Sequence, residues 1–322
     1  MMSPFKRYLA EEVALDHAEG LIPRREALRR LGLLGLTLPA AGALLAACGA
    51  DPPAASPTTG TPGTGANPSA TGASPSGTGA SPSGTAASGP PAGPSPLPTE
   101  AITFPGPQGT ELQGAWAAAR DPKGAVLVIH ENRGLNDHTR SVAGRLAAAG
   151  YSALALDLLS RDGGTAAFTD TAQATAKLGE IPPEQFVADM KAALGELQNR
   201  AKGAKLGMVG FCFGGGMTWL LLSSSEPRLA AAAPFYGPLP AGADLTGTKA
   251  AVLGVYAEQD DRVNATRDAA RAALEKAGLT HEIATFAGAG HAFFNDTGQR
   301  YNPTAAAQAW DRLIAWFDRH LS

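Results

Sequence analysis

The most constraining feature of this chain is a cysteine set among glycines directly after an apolar run. Residues 207–216 read Gly-Met-Val-Gly-Phe-Cys-Phe-Gly-Gly-Gly. They follow the pattern G-x-S-x-G with Cys212 in place of the usual serine; in that pattern a strand turns sharply into a helix and lifts a nucleophile above the sheet. Gly210 and Gly214 fit it because two backbones approach closely there and leave no room for a Cβ. The pattern predicts a thiol nucleophile at a helix N-terminus, where negative charge is favoured.

Composition excludes several classes of protein. The chain has 322 residues and a formal net charge of −3, without a basic block large enough to bind nucleic acid. Its sequence contains no metal-ligand cluster, phosphate-binding glycine loop or nucleotide fingerprint, so we expect no metal and no other cofactor. Its two cysteines, Cys48 and Cys212, lie in very different surroundings. We therefore expect no disulfide between them, although a secreted chain with two cysteines could form one.

Residues 1–50 are similar to an export signal. Arg24 and Arg25 precede Leu31–Ala47, an apolar run without charge. A paired arginine, a short apolar stretch and a small-residue cleavage site are typical of a twin-arginine secretory signal, and general secretion stays open. The run ends in Leu-Ala-Ala-Cys, which resembles the bacterial lipobox, so we predict lipid attachment at Cys48 on the extracytoplasmic face of a membrane. An uncleaved membrane anchor is the alternative.

Residues 51–98 are predicted to be a disordered linker. Apart from Asp51, Asn67 and Leu97 they contain only Ala, Gly, Pro, Ser and Thr. Such a stretch has almost nothing to bury and cannot offset the entropy cost of ordering. We interpret it as a tether between the membrane and the following domain. A carrier of O-linked sugars is the other hypothesis that this composition allows.

Residues 99–322 show the alternation of strands and helices that is typical of a parallel sheet covered on both faces. Two short segments before residue 118 predict an antiparallel opening hairpin, Ile102–Phe104 and Glu111–Ala117. Apolar runs of strand length follow at residues 125–130, 152–157, 206–210, 231–236, 251–256 and 282–286. Helical stretches are predicted between and after them, at residues 139–149, 183–197, 213–223, 265–277 and 304–320.

An acid and a histidine follow Cys212 in the chain order that nucleophilic catalysis on such a sheet requires, each after a strand. Asp260 follows the strand at 251–256, and His291 follows the strand at 282–286. His291 would take the proton of the thiol, and Asp260 would orient the imidazole. We prefer Asp260 to the neighbouring Asp261 and Glu258 because it is the first aspartate past the strand. If His291 is the base, activity should fall as pH drops through about 6.5.

These motifs together resemble the dienelactone hydrolase (carboxymethylenebutenolidase) family, a branch of the α/β-hydrolase fold with a Cys-His-Asp triad. The resemblance covers nearly all of residues 99–322. Its most specific stretches are Val-Ile-His-Glu-Asn-Arg-Gly-Leu-Asn at 128–136, Leu-Asp-Leu-Leu-Ser-Arg at 156–161, the cysteine motif at 210–215, Asp260, and Gly-His-Ala-Phe at 290–293. It implies an α/β fold with a mostly parallel sheet and Cys212, Asp260 and His291 as catalytic residues.

The resemblance also implies a role for Glu131, because a family glutamate at this position contacts the nucleophile and helps to govern its ionisation. A carboxylate beside a thiolate opposes ionisation or accepts the thiol proton. A charged residue that merely caps the following turn is the alternative interpretation. The oxyanion hole would consist of the backbone N–H groups of Phe213 and Asn132.

The sequence differs from the family at a residue that is expected to bind the substrate. Members that cleave dienelactone carry an arginine shortly after the histidine, and here residues 292–296 read Ala-Phe-Phe-Asn-Asp. Arg133, Arg161 and Arg300 are candidate substitutes, with surface solvation as the competing expectation.

The sequence predicts an exported, lipid-anchored hydrolase that cleaves a small lactone or carboxylic ester through a Cys212 thioester. Acyl transfer by the same thioester is one alternative. A surface binding lipoprotein that keeps the fold without the chemistry is the other.

Overall fold

The C-terminal part of the chain is built on one eight-stranded sheet. The computed structural model describes residues 2–48 and 89–322. The strands are β1 (Glu100–Pro105), β2 (Glu111–Ala117), β3 (Gly124–Ile129), β4 (Tyr151–Leu156), β5 (Leu206–Phe211), β6 (Leu229–Phe235), β7 (Ala251–Ala257) and β8 (His281–Phe286). Their order across the sheet is β1-β2-β4-β3-β5-β6-β7-β8. The hairpin β1–β2 is antiparallel and joins β4 antiparallel, and the remaining pairs are parallel.

The parallel part of the sheet is covered on both faces. Every residue of β3, β4, β5 and β7 is buried, and because alternate side chains of a strand point to opposite faces, neither face is open to solvent. The covering helices are α4 (Asp137–Ala148), α5 (Thr171–Leu178), α6 (Pro183–Arg200), α7 (Phe213–Ser223), α8 (Asp261–Asn264), α9 (Arg267–Lys276) and α10 (Pro303–His320). This architecture confirms the predicted fold class, the opening hairpin and the strand–helix alternation. The helices α5 and α8 were not predicted.

The N-terminal segment is folded against this domain, which the sequence did not predict. It forms α1 (Pro4–Ala18), α2 (Arg24–Leu33) and α3 (Leu38–Cys48), so the apolar run that begins at Leu31 is split between two helices. Arg29 of α2 pairs with Asp170, just before α5, at 2.6 Å. No helix in residues 2–48 or 89–322 is both long and apolar enough to cross a membrane.

The last ten residues of the predicted linker 51–98 are part of the folded chain. Residues 51–88 lie outside the described residues, but residues 89–98 contact the domain. The carbonyl of Ala92 accepts a hydrogen bond from the buried guanidinium of Arg145 at 2.7 Å, and Leu97 N–H donates to the Gly144 carbonyl at 3.0 Å. Backbone polar groups can hold a strip without regular structure when the neighbouring helix offers partners, and composition does not reveal this.

Candidate active site

The structure places Cys212 at a strained turn between β5 and α7. Its φ of 55° lies in the left-handed region, which a non-glycine residue rarely adopts. A Cβ on Gly210 would lie 2.1 Å from the carbonyl oxygen of Gly214, and a Cβ on Gly214 would lie 2.4 Å from that of Ile129. Both glycines are therefore required by close backbone approach, as the motif predicts. The turn aims the thiol away from the strand and toward the carboxyl ends of its neighbours.

The three predicted triad residues come together at this edge of the sheet. Nδ1–H of His291 donates to Oδ2 of Asp260 at 2.5 Å, and the other carboxylate oxygen accepts from the N–H of Val263 at 3.2 Å. His291 Nε2 and the Cys212 sulfur lie within 4.8 Å of each other. All three are buried. The neighbouring Glu258 instead accepts from the N–H of Gly288, so the preference for Asp260 agrees with the geometry.

Glu131 lies in the same cavity as Cys212 and is held by two residues that the sequence did not single out. Asn295 Nδ2 donates to one carboxylate oxygen at 2.7 Å, and the Tyr236 hydroxyl donates to the other at 3.4 Å. Asn295 lies four residues after His291, and Tyr236 follows β6 with a φ of 35°. The sequence signal for Asn295 is that it is a polar residue shortly after the candidate catalytic histidine.

His130 orients the backbone that carries Glu131. Its Nε2 accepts from the N–H of Leu158 at 3.1 Å, so Nδ1 carries the proton and donates to the Glu131 carbonyl at 2.6 Å. Burial lowers the pKa of His130 and keeps it neutral. This histidine therefore holds the loop after β3, including Asn132, in a fixed position.

Two residues of α1 that were not predicted from the sequence reach the same centre. The hydroxyl of Tyr8 lies 3.3 Å from the sulfur of Cys212. Oε1 of Glu12 lies 3.4 Å from Nε2 of His291, and Oε2 is paired with Arg262. Tyr8 and Glu12 are both buried. Their spacing of four places both side chains on one helix face.

The charges around His291 set its protonation. Burial by itself lowers the pKa of His291, but the carboxylates of Glu12 and Asp260 outweigh it and raise the pKa well above the usual value. Burial also raises the pKa of the Cys212 thiol, with Glu12 adding to the effect. For Glu12, burial is outweighed by His291, Arg262 and Arg300, which lower its pKa. This arrangement favours the neutral form of the thiol and the charged form of the imidazole, which lies between two carboxylates.

A cavity of about 320 Å³ opens beside the thiol. Its lining includes Cys212, Glu131, Asn132, Arg133 and Arg300. Two of the three candidate arginines therefore face the cavity, but Arg300 is engaged by α1, through Asp16 at 2.9 Å and Glu19 at 2.5 Å. Arg161 pairs with Asp189 at 2.7 Å and is absent from the lining.

Within the described ranges, the only group of three or more His, Cys, Asp or Glu side chains with clustered ligand atoms is Glu12, Cys212 and His291, whose ligand atoms lie within 4.8 Å of one another. Arg262 and Arg300 already compensate the charge of Glu12, and a cation between these donors would meet both guanidinium groups. The donor set fits a charged hydrogen-bond network better than a metal centre.

The chain is similar to known proteins over most of its length. A family profile described as "Dienelactone hydrolase family" matches residues 112–321. A putative carboxymethylenebutenolidase of Methylorubrum extorquens is 33% identical over 223 residues, covering 64% of this chain and 75% of the relative. One from Salmonella typhi is 33% identical over 233 residues, covering 66% and 84%.

Solved structures show the same fold. A putative dienelactone hydrolase from Klebsiella pneumoniae has a TM-score of 0.60 and 30% identity, covering 69% of this chain and 99% of that one. A dienelactone hydrolase-like promiscuous phosphotriesterase from metagenomic libraries has a TM-score of 0.61 and 25% identity, covering 70% of this chain and 100% of that one. The likeness to these two structures covers about 70% of this chain.

The raised pKa of His291 predicts that stability falls as pH rises above about 6.5, the ordinary value for histidine. Below that pH both the folded and the unfolded chain bind the proton. Above it the folded chain keeps a proton that the unfolded chain releases, so unfolding becomes easier by at most about 1.4 kcal/mol per pH unit. Urea unfolding between pH 6 and pH 8 measures this. The slope should largely disappear in His291→Gln; an equal slope in both proteins would show that His291 is not the group responsible.

Proposed function

The chain belongs to the dienelactone hydrolase family, and from this premise we propose that it cleaves a small carboxylic ester or lactone through a thioester on Cys212. Ester or lactone hydrolysis is the activity of the family as a whole. The proposal adds the nucleophile, the intermediate and the residues that move the proton. The observation that carries it is the 2.5 Å hydrogen bond between Asp260 and His291 beside a cysteine on a strained turn.

The acylation step starts from neutral His291, whose Nε2 is then free to accept a proton. The thiol proton of Cys212 passes to Nε2 as the sulfur attacks the substrate carbonyl carbon. The tetrahedral intermediate collapses when the carbon–oxygen bond to the leaving group breaks, and His291 returns the proton to the leaving oxygen. A water molecule then attacks the thioester, with His291 again taking a proton, and the carboxylic acid leaves as the thiol is restored. Asp260 stabilises the imidazolium in both steps.

The N–H groups of Phe213 and Asn132 are proposed to hold the developing oxyanion. Phe213 is the first residue of α7, so its N–H has no acceptor inside the helix and faces the same end as the thiol. Asn132 lines the cavity with Cys212. A single preorganised donor aimed at the oxyanion stabilises an acyl-transfer transition state by on the order of 3 kcal/mol. Two such donors together contribute several kcal/mol.

Glu131 is proposed to keep the resting thiol protonated. Its carboxylate adds to the rise in the pKa of Cys212, after the larger contributions of burial and Glu12. Asn295 and Tyr236 fix that carboxylate near the nucleophile. A protonated resting thiol is also protected from oxidation, because the thiolate is the form that oxidants attack.

Export and lipid attachment at Cys48 are proposed from the sequence signal. Cys48 is exposed at the end of α3. Leu38, the first residue of this apolar helix, is also exposed, with 74% of its surface accessible. Both features support access by processing enzymes.

Intact mass of the protein purified from membranes should give a chain that begins at Cys48 and carries lipid, because cleavage before a lipobox cysteine leaves it as the first residue. Cys48→Ser is the control and should remain at full length. A membrane-bound wild-type chain that retains Met1 or Met2 would contradict the lipobox prediction.

Replacement of the nucleophile tests the catalytic proposal. Cys212→Ala should lower kcat/KM on activated aryl esters and enol lactones by about a thousandfold or more, since the covalent route is lost. The melting temperature should change little, and the uncleaved Cys48→Ser chain should still hydrolyse the ester, although more slowly than the processed wild type. Undiminished turnover by Cys212→Ala would overturn the proposal. Transfer of the acyl group to an added alcohol in preference to water would instead assign the thioester to an acyltransferase.

A further inference from the structure

We propose that the N-terminal helices α1 and α2 form an inhibitory cover, which keeps the thiol of Cys212 unreactive while they remain attached. We use the word cover for residues 4–33. The inference rests on the proposed function, because it concerns when that site works.

The cover reaches the reacting atoms with two side chains from one helix face. Tyr8 places its hydroxyl 3.3 Å from the sulfur, and Glu12 places a carboxylate oxygen 3.4 Å from Nε2 of His291. Cys212 is only 3% exposed and His291 only 1%. A substrate carbonyl must approach the sulfur within van der Waals distance, and the tyrosine hydroxyl stands beside that atom.

Glu12 also compensates the positive charge of the imidazolium, which the thiolate does in an active Cys–His pair. In an active Cys–His pair the imidazolium stabilises the thiolate, so the two charges compensate each other. Here the carboxylate of Glu12 lies 3.4 Å from Nε2 of His291. Burial raises the pKa of the Cys212 thiol, and Glu12 is the next contribution in the same direction. Glu12 compensates the charge of the imidazolium without ionisation of the thiol, which leaves the nucleophile in its inert form.

An acidic stripe on α1 explains why the cover binds here. Glu12, Asp16 and Glu19 follow one another along the helix and meet two arginines of the domain. Arg300 contacts all three carboxylates, and Arg262 pairs with Glu12 and lies over the ring of Tyr8 at 4.2 Å. Charge pairs that are largely desolvated hold their geometry more firmly than surface pairs.

Apolar contacts fix the cover away from the thiol. The ring of Phe5 packs edge-on against Phe213 at 6.0 Å. Leu9 of α1 and Leu34, directly after α2, lie over Gly179 at the end of α5, where a Cβ would meet both side chains at 3.4 and 3.2 Å. Gly179 is not part of the lining of the cavity beside Cys212. It is therefore a place where the cover can be loosened without touching the site.

The position of the cover in the chain makes it removable. The cover precedes Cys48, so cleavage at the predicted lipobox would take α1 and α2 away together with the signal. If α1 and α2 were a permanent wall of the active site, processing would remove part of the site. If they are an inhibitory cover, processing would free the thiol when the enzyme reaches the place where it acts.

The test uses the full chain in a Cys48→Ser background, so that Cys212 is the only thiol and the lipobox is inactivated. Gly179→Gln inserts a side chain under Leu9 and Leu34. Gly195→Gln on α6 is the matched control, because a Cβ there meets nothing closer than 3.9 Å. Three quantities are measured: trypsin cleavage at Lys6 and Arg7, the rate of Cys212 alkylation by iodoacetamide, and hydrolysis of an aryl ester.

Gly179→Gln should expose α1 to trypsin and raise the alkylation and hydrolysis rates by about tenfold, in proportion to the open population. Gly195→Gln should change neither rate. Glu12→Gln, which removes the carboxylate charge with little change of volume, should raise the alkylation rate and shift its pH profile to lower pH. Tyr8→Phe should raise the rate by a smaller factor.

The cover inference is overturned if α1 is released, or Glu12→Gln is made, and alkylation of Cys212 is unchanged or slower. That result, with ester hydrolysis still present, would leave the proposed function standing and make α1 a structural wall. Faster alkylation without any ester hydrolysis would support the cover and reject the hydrolase proposal. The two failures are therefore distinguishable.

Discussion

The close approach of two backbones at Cys212 is the constraint on which the rest of the site depends. Gly210 and Gly214 allow β5 to turn directly into α7, and the turn forces Cys212 into a positive φ that a single isolated strand and helix would not sustain. The parallel strands on both sides of β5 supply the packing that holds this strain. Because parallel strands end at the same edge, the loops after β7 and β8 bring Asp260 and His291 to the same place.

Electrostatics then decide which state of the nucleophile is favoured. The imidazole of His291 lies between two carboxylates, one from its own domain and one from α1. Asp260 alone would orient the ring and stabilise its charged form during the reaction. The second carboxylate, Glu12, stabilises that charged form before any reaction occurs. The same geometry therefore contains the proposed catalytic arrangement and an additional anion that opposes ionisation of the thiol.

The sequence was sufficient for the fold class, the turn at Cys212 and the identity of the triad candidates, because each depends on local signals: apolar runs, glycines at close approach and chain order. It was insufficient for Asn295 and Tyr236, whose role depends on which side chains meet around Glu131 in three dimensions. It was also insufficient for α1. A segment that reads as an export signal carries no local mark that Tyr8 and Glu12, each more than 200 residues before its partner in the chain, contact Cys212 and His291.

The central claim is that Cys212 carries the acyl group during turnover. The most direct measurement is intact-mass and peptide mapping of the processed wild-type protein quenched in acid during reaction with a slowly deacylating aryl ester. The account predicts one acyl group per chain, on the peptide that contains Cys212, and its release by hydroxylamine as expected for a thioester. An acyl group on any other residue, or turnover with no acyl-protein at any time point, would contradict it.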